Sequence, residues 1–261
     1  MLTLYEHPLS PYAQKVKIAL REKGVEFTLQ TPDGMGSGHA AGEFMAANPR
    51  GEVPTLIDDN FSIFDSTVIL EYIEDKWPTP ALLPSSPIER ARARMIEDVC
   101  DTQYEAINWG LGELTWFRRG EGELSEALRD KAADQTEMMQ AWLTRQLGSS
   151  DWFNGKTFGW ADLSVIPYVA GSASFGLGPE NSSPLGKWFR RARDRETVAT
   201  TLKESSSSTA AMETVAEIVK QGLFKREYRD HRLEWMIRSG GMKVVLDGLE
   251  NNNIRFSNDF A

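Results

Sequence analysis

Apolar and polar residues alternate from Leu2 to Tyr5, the period of a half-buried strand. A turn-forming His7-Pro8-Leu9-Ser10-Pro11 follows, and Val16, Ala19 and Leu20 then recur at helical spacing up to Gly24, a residue suited to a helix C-terminus. Val25, Phe27 and Leu29 alternate again. The first 30 residues therefore predict strand, helix, strand, the minimum for a right-handed parallel crossover. Beyond a Gly-rich stretch, residues 43–47 predict a short helix, and strands at 55–57 and 61–63 flank Asp58-Asp59-Asn60 as a hairpin. Ser66 opens a helix whose Val68, Ile69, Tyr72 and Ile73 form one apolar stripe, ended by Pro78 and Pro80. The order is β-α-β-α-β-β-α within residues 1–78.

Proline and serine dominate residues 79–88, where the periodicity stops, as expected of a linker. Residues 89–224 read as an all-helical domain, with long helices predicted at 88–117, 125–147 and 160–173. The serine-rich tract 204–209 predicts a loop or cap, and 225–261 a charged helical extension broken at Gly240-Gly241. Leu233, Trp235, Met236 and Ile237 give that extension apolar surface to bury, so it is expected to be ordered. The fold class is α/β followed by all-α.

The net charge of −9, with acidic residues spread along the chain, argues against a nucleic-acid partner. Arg190, Arg191, Arg193 and Arg195 cluster, but Asp194 and Glu196 interleave with them, which favours a solvated helix face over an anion site. No apolar run is long enough to span a membrane, and no basic segment precedes an apolar stretch at the N-terminus. With one cysteine, Cys100, a disulfide framework and a cysteine-rich metal site are excluded. A cytoplasmic chain without a metal is expected, and Cys100 is read as core packing.

Three features carry chemistry. Ser10-Pro11 sits where a strand meets a helix, so Ser10 is either a plain N-cap or a hydroxyl beside unpaired N–H groups that favour a thiolate. Pro54 opens a strand; the Val53-Pro54 bond is either trans, or cis with the Val53 N–H and C=O turned outward to pair an extended peptide. Asp65-Ser66 starts the striped helix, as a further cap or as a clamp in which Ser66 holds a carboxylate and Asp65 an ammonium group. A thiol site, a peptide-pairing edge and an amino-acid clamp together describe glutathione.

His7-Pro8-Leu9-Ser10-Pro11-Tyr12 with 15–20, the run 48–56 through Val53-Pro54, and Asp65-Ser66 with the helix to Ile73 resemble the soluble glutathione transferases. The resemblance implies a thioredoxin-like glutathione-binding domain followed by the all-helical domain of that family. It implies a homodimer, with glutathione as co-substrate and a small hydrophobic, aromatic electrophile as partner. Ser10 then stabilises the thiolate as in serine-type members, Val53 pairs with the cysteinyl part before cis-Pro54, and Asp65 and Ser66 hold the γ-glutamyl end. His39 is the candidate for the glycyl carboxylate, against a solvent-facing loop histidine. Tyr12, Tyr104, Trp109 and Trp116 are expected around the electrophile, although such an aromatic stripe also suits a core or a dimer interface. The family's buried capping box survives only as Asp162, three residues after Gly159, and is read as structural. Conjugation, reductive ether cleavage or isomerisation, and non-catalytic ligand carriage all suit the same site.

Overall fold

The computed structural model describes residues 1–34, 42–209, 212, 215–224, 226–227 and 230–255. Strand β1 (Leu2–Tyr5) leads to α1 (Pro11–Glu22), capped by the Ser10 Oγ, which accepts from the Ala13 N–H at 3.3 Å. Gly24 ends the turn after α1 at φ +65°, a left-handed conformation that a side chain would disfavour. β2 (Thr28–Gln30) is shorter than the alternation predicts: Val25 and Phe27 are half-buried against the core but lie outside the ladder. α2 (Glu43–Ala47) precedes β3 (Thr55–Asp58) and β4 (Phe61–Phe64), whose two-residue turn is made by Asp59 at φ 54° and Asn60. α3 (Ser66–Lys76) follows.

The sheet order is β2-β1-β3-β4, with β2 parallel to β1 and the other pairs antiparallel. Leu4, Leu56 and Ile63 are neighbours across three strands and pack in one core with Val16 of α1 and Ile69 of α3. Tyr5, on the other face of β1, meets Phe44 of α2 with ring centroids 5.3 Å apart, so helices cover both faces.

The remainder is helical: α4 (Pro87–Val99), α5 (Glu105–Thr115), α6 (Gly122–Leu147), α7 (Trp160–Ser174), α8 (Pro184–Arg193), α9 (Glu196–Thr209), α10 (Val215–Lys220), α11 (Asp230–Arg238) and α12 (Met242–Glu250). The single long helix predicted at 88–117 is divided by a π-helical turn, Cys100–Tyr104. The serine tract expected as a loop is the last turns of α9. Hydroxyls of Ser206, Ser207, Ser208 and Thr209 bond to carbonyls three or four residues back, so they are satisfied within α9.

Helix α11 packs on α5. Trp235 lies over Gly110, where an added Cβ would come within 2.5 Å of the indole ring, and Met236 is fully buried. Ile237, also expected to be buried, is half exposed.

At the start of α7 the buried Asp162 carboxylate accepts from the Phe153, Asn154 and Gly159 N–H groups at 2.9, 3.4 and 3.1 Å and from the Trp188 indole at 2.8 Å. Burial pushes its pKa up to about 6. Glycine stands at the cap because a Cβ on Gly159 would meet the Asn154 amide at 1.8 Å and the Leu82 carbonyl at 2.4 Å. Asp162→Ala removes the acceptor of four N–H groups and should cost about 3–5 kcal/mol, a drop of roughly 10 °C in Tm followed by circular dichroism. A drop of less than about 2 °C would show that the carboxylate is not structural.

Candidate functional site

Two adjoining cavities open beside the N-terminus of α1. The larger, about 1160 Å³, is lined by Ser10, Tyr12, Gly51, Glu52 and Val53 on one side and by Trp109, Trp116, Phe175 and Phe189 on the helical side. The smaller, about 230 Å³, is lined by Val53, Pro54, Asp65, Ser66, Thr67, Asp98, Asp101 and Thr102. Tyr12, Glu52 and Val53 line both, so one ligand can run from Ser10 past Val53 to Ser66.

Ser10 is half-buried and its N–H donates to the His7 carbonyl at 2.8 Å. Its Oγ accepts the capping bond from Ala13, and among the described residues its O–H donates to none, so it can cap α1 and donate into the cavity together. His7 also lines the cavity. Burial first, and the charge of Lys17 second, lower its pKa, so the imidazole next to Ser10 is neutral at pH 7. The Gln14 side chain donates to the Pro8 carbonyl at 2.8 Å and to Ser205 of α9 at 3.2 Å, holding this turn against the helical part.

The Val53–Pro54 bond is cis. Asp65, not Ser66, caps α3: its Oδ1 accepts from the Thr67 and Val68 N–H groups at 3.0 and 3.2 Å. Asp65 holds φ at 73°, unusual for a residue with a side chain, and leaves Oδ2 outside the cap. Ser66, the first residue of α3, is buried at the wall of the small cavity.

Sequence reasoning missed Asp98, Asp101 and Thr102, which reach this cavity from α4 and the π-helical turn, more than 80 residues beyond Tyr12. Asp101 is the hub. Its carboxylate accepts from Lys15 Nζ at 2.5 Å and from the Tyr168 hydroxyl at 2.7 Å, and its carbonyl accepts from the Tyr12 hydroxyl at 2.8 Å. Lys15 also donates to Glu97 at 2.5 Å. Burial alone would lower the Lys15 pKa, yet Asp101 and Glu97 outweigh it and hold the ammonium charged. One cation between two buried carboxylates leaves net negative charge, so burial, with repulsion from Glu97, pushes Asp101 up to about 6.

Of the expected aromatic residues, Tyr12, Trp109 and Trp116 line the larger cavity, and Trp116 packs on Phe175 at 5.0 Å. Tyr104 does not. It is fully buried, and its hydroxyl pairs with Ser172 at 2.8 Å, because it lies one residue off the helical stripe of Glu105, Trp109 and Trp116. His39 lies outside the described residues. Arg232 of α11, which sequence reasoning did not single out, lines the cavity, pairs with Glu105 at 2.8 Å and sits 5.4 Å from the Trp109 ring centroid. Cys100 is fully buried, with its thiol pushed well up by burial. Among the described residues no group of three or more His, Cys, Asp or Glu could hold a metal ion, and no helix is long and apolar enough to cross a membrane.

The family model for the glutathione S-transferase N-terminal domain matches residues 4–81, the segment holding Ser10, Val53-Pro54 and Asp65-Ser66. Glutathione S-transferase U28 of Arabidopsis thaliana is 32% identical over 203 residues, covering 75% of this chain and 86% of the plant protein. This chain belongs to the glutathione S-transferases. A maleylacetoacetate isomerase of Pseudomonas aeruginosa is 28% identical over 180 residues, 67% of this chain and 84% of its own. Among solved structures, rice GST1 (OsGSTU1) in complex with glutathione matches with a TM-score of 0.64 at 26% identity, covering 82% of this chain and 96% of that one. The four-stranded sheet followed by helices is thus the family's thioredoxin-like arrangement with its helical C-terminal part.

The transferase's Asp101 has a testable acid–base signature. Its pKa is raised in the folded state from an ordinary 3.8 to about 6, so its contribution to stability is fully present below about 3.8 and is lost as pH rises through about 6. Relative to Asp101→Asn, the wild type should therefore lose about 2 kcal/mol between pH 4.5 and pH 7.5, read by urea unfolding at both values. A difference that does not change with pH would show that Asp101 titrates normally.

Proposed function

We propose that the chain is a glutathione transferase in which Ser10 donates a hydrogen bond to the thiolate of bound glutathione, which then attacks a hydrophobic, aromatic electrophile. The carrying observation is the shared wall of the two cavities: a tripeptide thiol laid along Val53 would set its sulfur near Ser10 and its γ-glutamyl end near Asp65 and Ser66. The acidic lining of the small cavity, Asp65, Asp98 and Asp101, suits the γ-glutamyl ammonium group, and the buried Ser66 at the N-terminus of α3 suits its carboxylate. A thiol beside the α1 N-terminus ionises below its ordinary pKa of about 8.5, which makes it nucleophilic at neutral pH. Tyr12, Trp109 and Trp116 offer the electrophile apolar area.

The isomerase relative favours a second reading on the same thiolate: addition to a carbon–carbon double bond, rotation, and elimination that returns glutathione unchanged. The two readings differ in thiol balance, since conjugation consumes one thiol per turnover and isomerisation none. The reading includes a homodimer, supported by apolar side chains left exposed on β4, α3 and α4 at Phe61, Val68 and Met95; light scattering at micromolar protein should give twice the chain mass, and a monomer would remove the dimer from the reading.

Ser10→Ala should lower kcat/KM for an aryl chloride by about 100-fold and raise the bound thiol's pKa in an ultraviolet titration, with glutathione affinity by calorimetry little changed. Ser10→Thr keeps both cap and hydroxyl and should recover most activity, whereas loss of the cap alone costs about 1 kcal/mol of stability. Unchanged turnover in Ser10→Ala with glutathione still bound would end the thiol-activation role.

A further inference from the structure

The arginine cluster at the end of α8 and in the turn after it divides into three side chains engaged by an oxygen partner and Arg193. Arg190 donates to the Asn181 carbonyl at 2.8 Å, Arg191 pairs with Asp151 at 3.2 Å, and Arg195 pairs with Glu22 at 2.7 Å. Arg193 has no acidic partner among the described residues. It lies one turn beyond Phe189 with its guanidinium 5.6 Å from that ring's centroid, and both line the larger cavity. On α9 the cavity face runs through Ala199, Leu202, Lys203 and Ser206, at the spacing of one helical side. Lys203 has no acidic partner among the described residues either, since Glu204 next to it is taken by Lys17 and Arg21.

The acids of the cavity wall do not neutralise these two cations. Glu105 is paired with Arg232 and Glu52 with Arg50, which leaves Asp33 as the remaining acid against Arg193 and Lys203. Two cations without an acidic partner among the described residues thus face the same aromatic-walled cavity from adjacent helices. Apolar rings bury the body of a ligand while a guanidinium and an ammonium meet a carboxylate with charge-assisted hydrogen bonds.

We propose that Arg193 and Lys203 form a carboxylate-binding subsite in the wall of the larger cavity, an inference that rests on the transferase reading above. The carboxylate belongs either to the co-substrate, which is then an aromatic or other hydrophobic acid, or to the glycyl end of glutathione.

The test reads binding, so it does not depend on turnover. A chloronitrobenzoate and its uncharged methyl ester are titrated against tryptophan fluorescence, to which Trp109 and Trp116 of the cavity wall contribute among the eight tryptophans, in the wild type and in Arg193→Gln/Lys203→Gln; glutathione is titrated by calorimetry in both. If the co-substrate supplies the anion, the double variant weakens the acid about tenfold and leaves ester and glutathione within about twofold. If glutathione supplies it, the Kd of glutathione rises about tenfold and neither benzoate form changes. The subsite is overturned if the double variant leaves all three affinities unchanged, or if the wild type binds neither the acid nor glutathione. Failure of the wild type to bind glutathione while the acid still depends on the two cations would sink the transferase reading and leave the subsite standing. Both side chains are exposed, so the variant should keep the wild-type Tm, and a shared loss of ester binding and Tm would mark misfolding and count against the subsite.

Discussion

Three lysines of one helix region organise the molecule. Lys15, Lys17 and Lys23 have fully buried side chains, and each reaches carboxylates from other elements: Lys15 to Glu97 and Asp101, Lys17 to Glu6 and Glu204, Lys23 to Glu74. A desolvated ammonium is tolerated only with such partners, and removing one partner from a buried pair costs about 3–5 kcal/mol. Replacing a whole pair by apolar groups is often neutral, so these bridges set position more than net stability. α4, the π-helical turn and α9 are thereby held in one register against α1, whose first turn carries Ser10. Glu74 adds the backbone N–H groups of Leu82 and Leu83 to the Lys23 pair, tying the segment between α3 and α4 to the same helix.

The strands and helices around the sheet were legible from the spacing of their apolar residues and from the residues at their ends. Alternation marks β1, β3 and β4, and the hairpin turn is marked by residues that tolerate a left-handed backbone. α1 was legible from its ends, Ser10-Pro11 and Gly24, and from the spacing of Val16, Ala19 and Leu20, but the burial of Gln14, Lys15 and Lys17 was not, since their partners lie in distant parts of the chain. The helical part was harder. The π-helical turn is a local phase change with no residue signature, and the serine tract reads as a loop unless its hydroxyls are known to bond within their own helix.

The motif residues of the candidate site fall in three short motifs, at Ser10-Pro11, Val53-Pro54 and Asp65-Ser66, and short-range signals find such residues. Asp98, Asp101, Arg193, Lys203 and Arg232 arrive from distant helices and carry no local mark, since a charged residue on a helix looks solvated until its neighbours are known. Gly110 is the closest thing to a signal for the extension: a glycine inside a helix costs about 1 kcal/mol against alanine, and here it is the seat of Trp235.

Asp101 belongs to both accounts at once. The carboxylate that neutralises Lys15, and so holds the helical part on α1, also lines the small cavity and carries on its backbone the hydroxyl of Tyr12, which lines both cavities. Any charge brought into the small cavity therefore acts on the bridge that positions Ser10: a cation there would be attracted by the net negative charge that one lysine leaves on two carboxylates, and an anion would be repelled. Each carboxylate also accepts from a further buried donor, Glu97 from the Trp160 indole and Asp101 from the Tyr168 hydroxyl, so neither could be dropped without leaving a buried polar group unpaired. The raised pKa of Asp101 is the cost of burying two carboxylates on one lysine, set against the hydrogen bonds that it accepts from Lys15 and Tyr168.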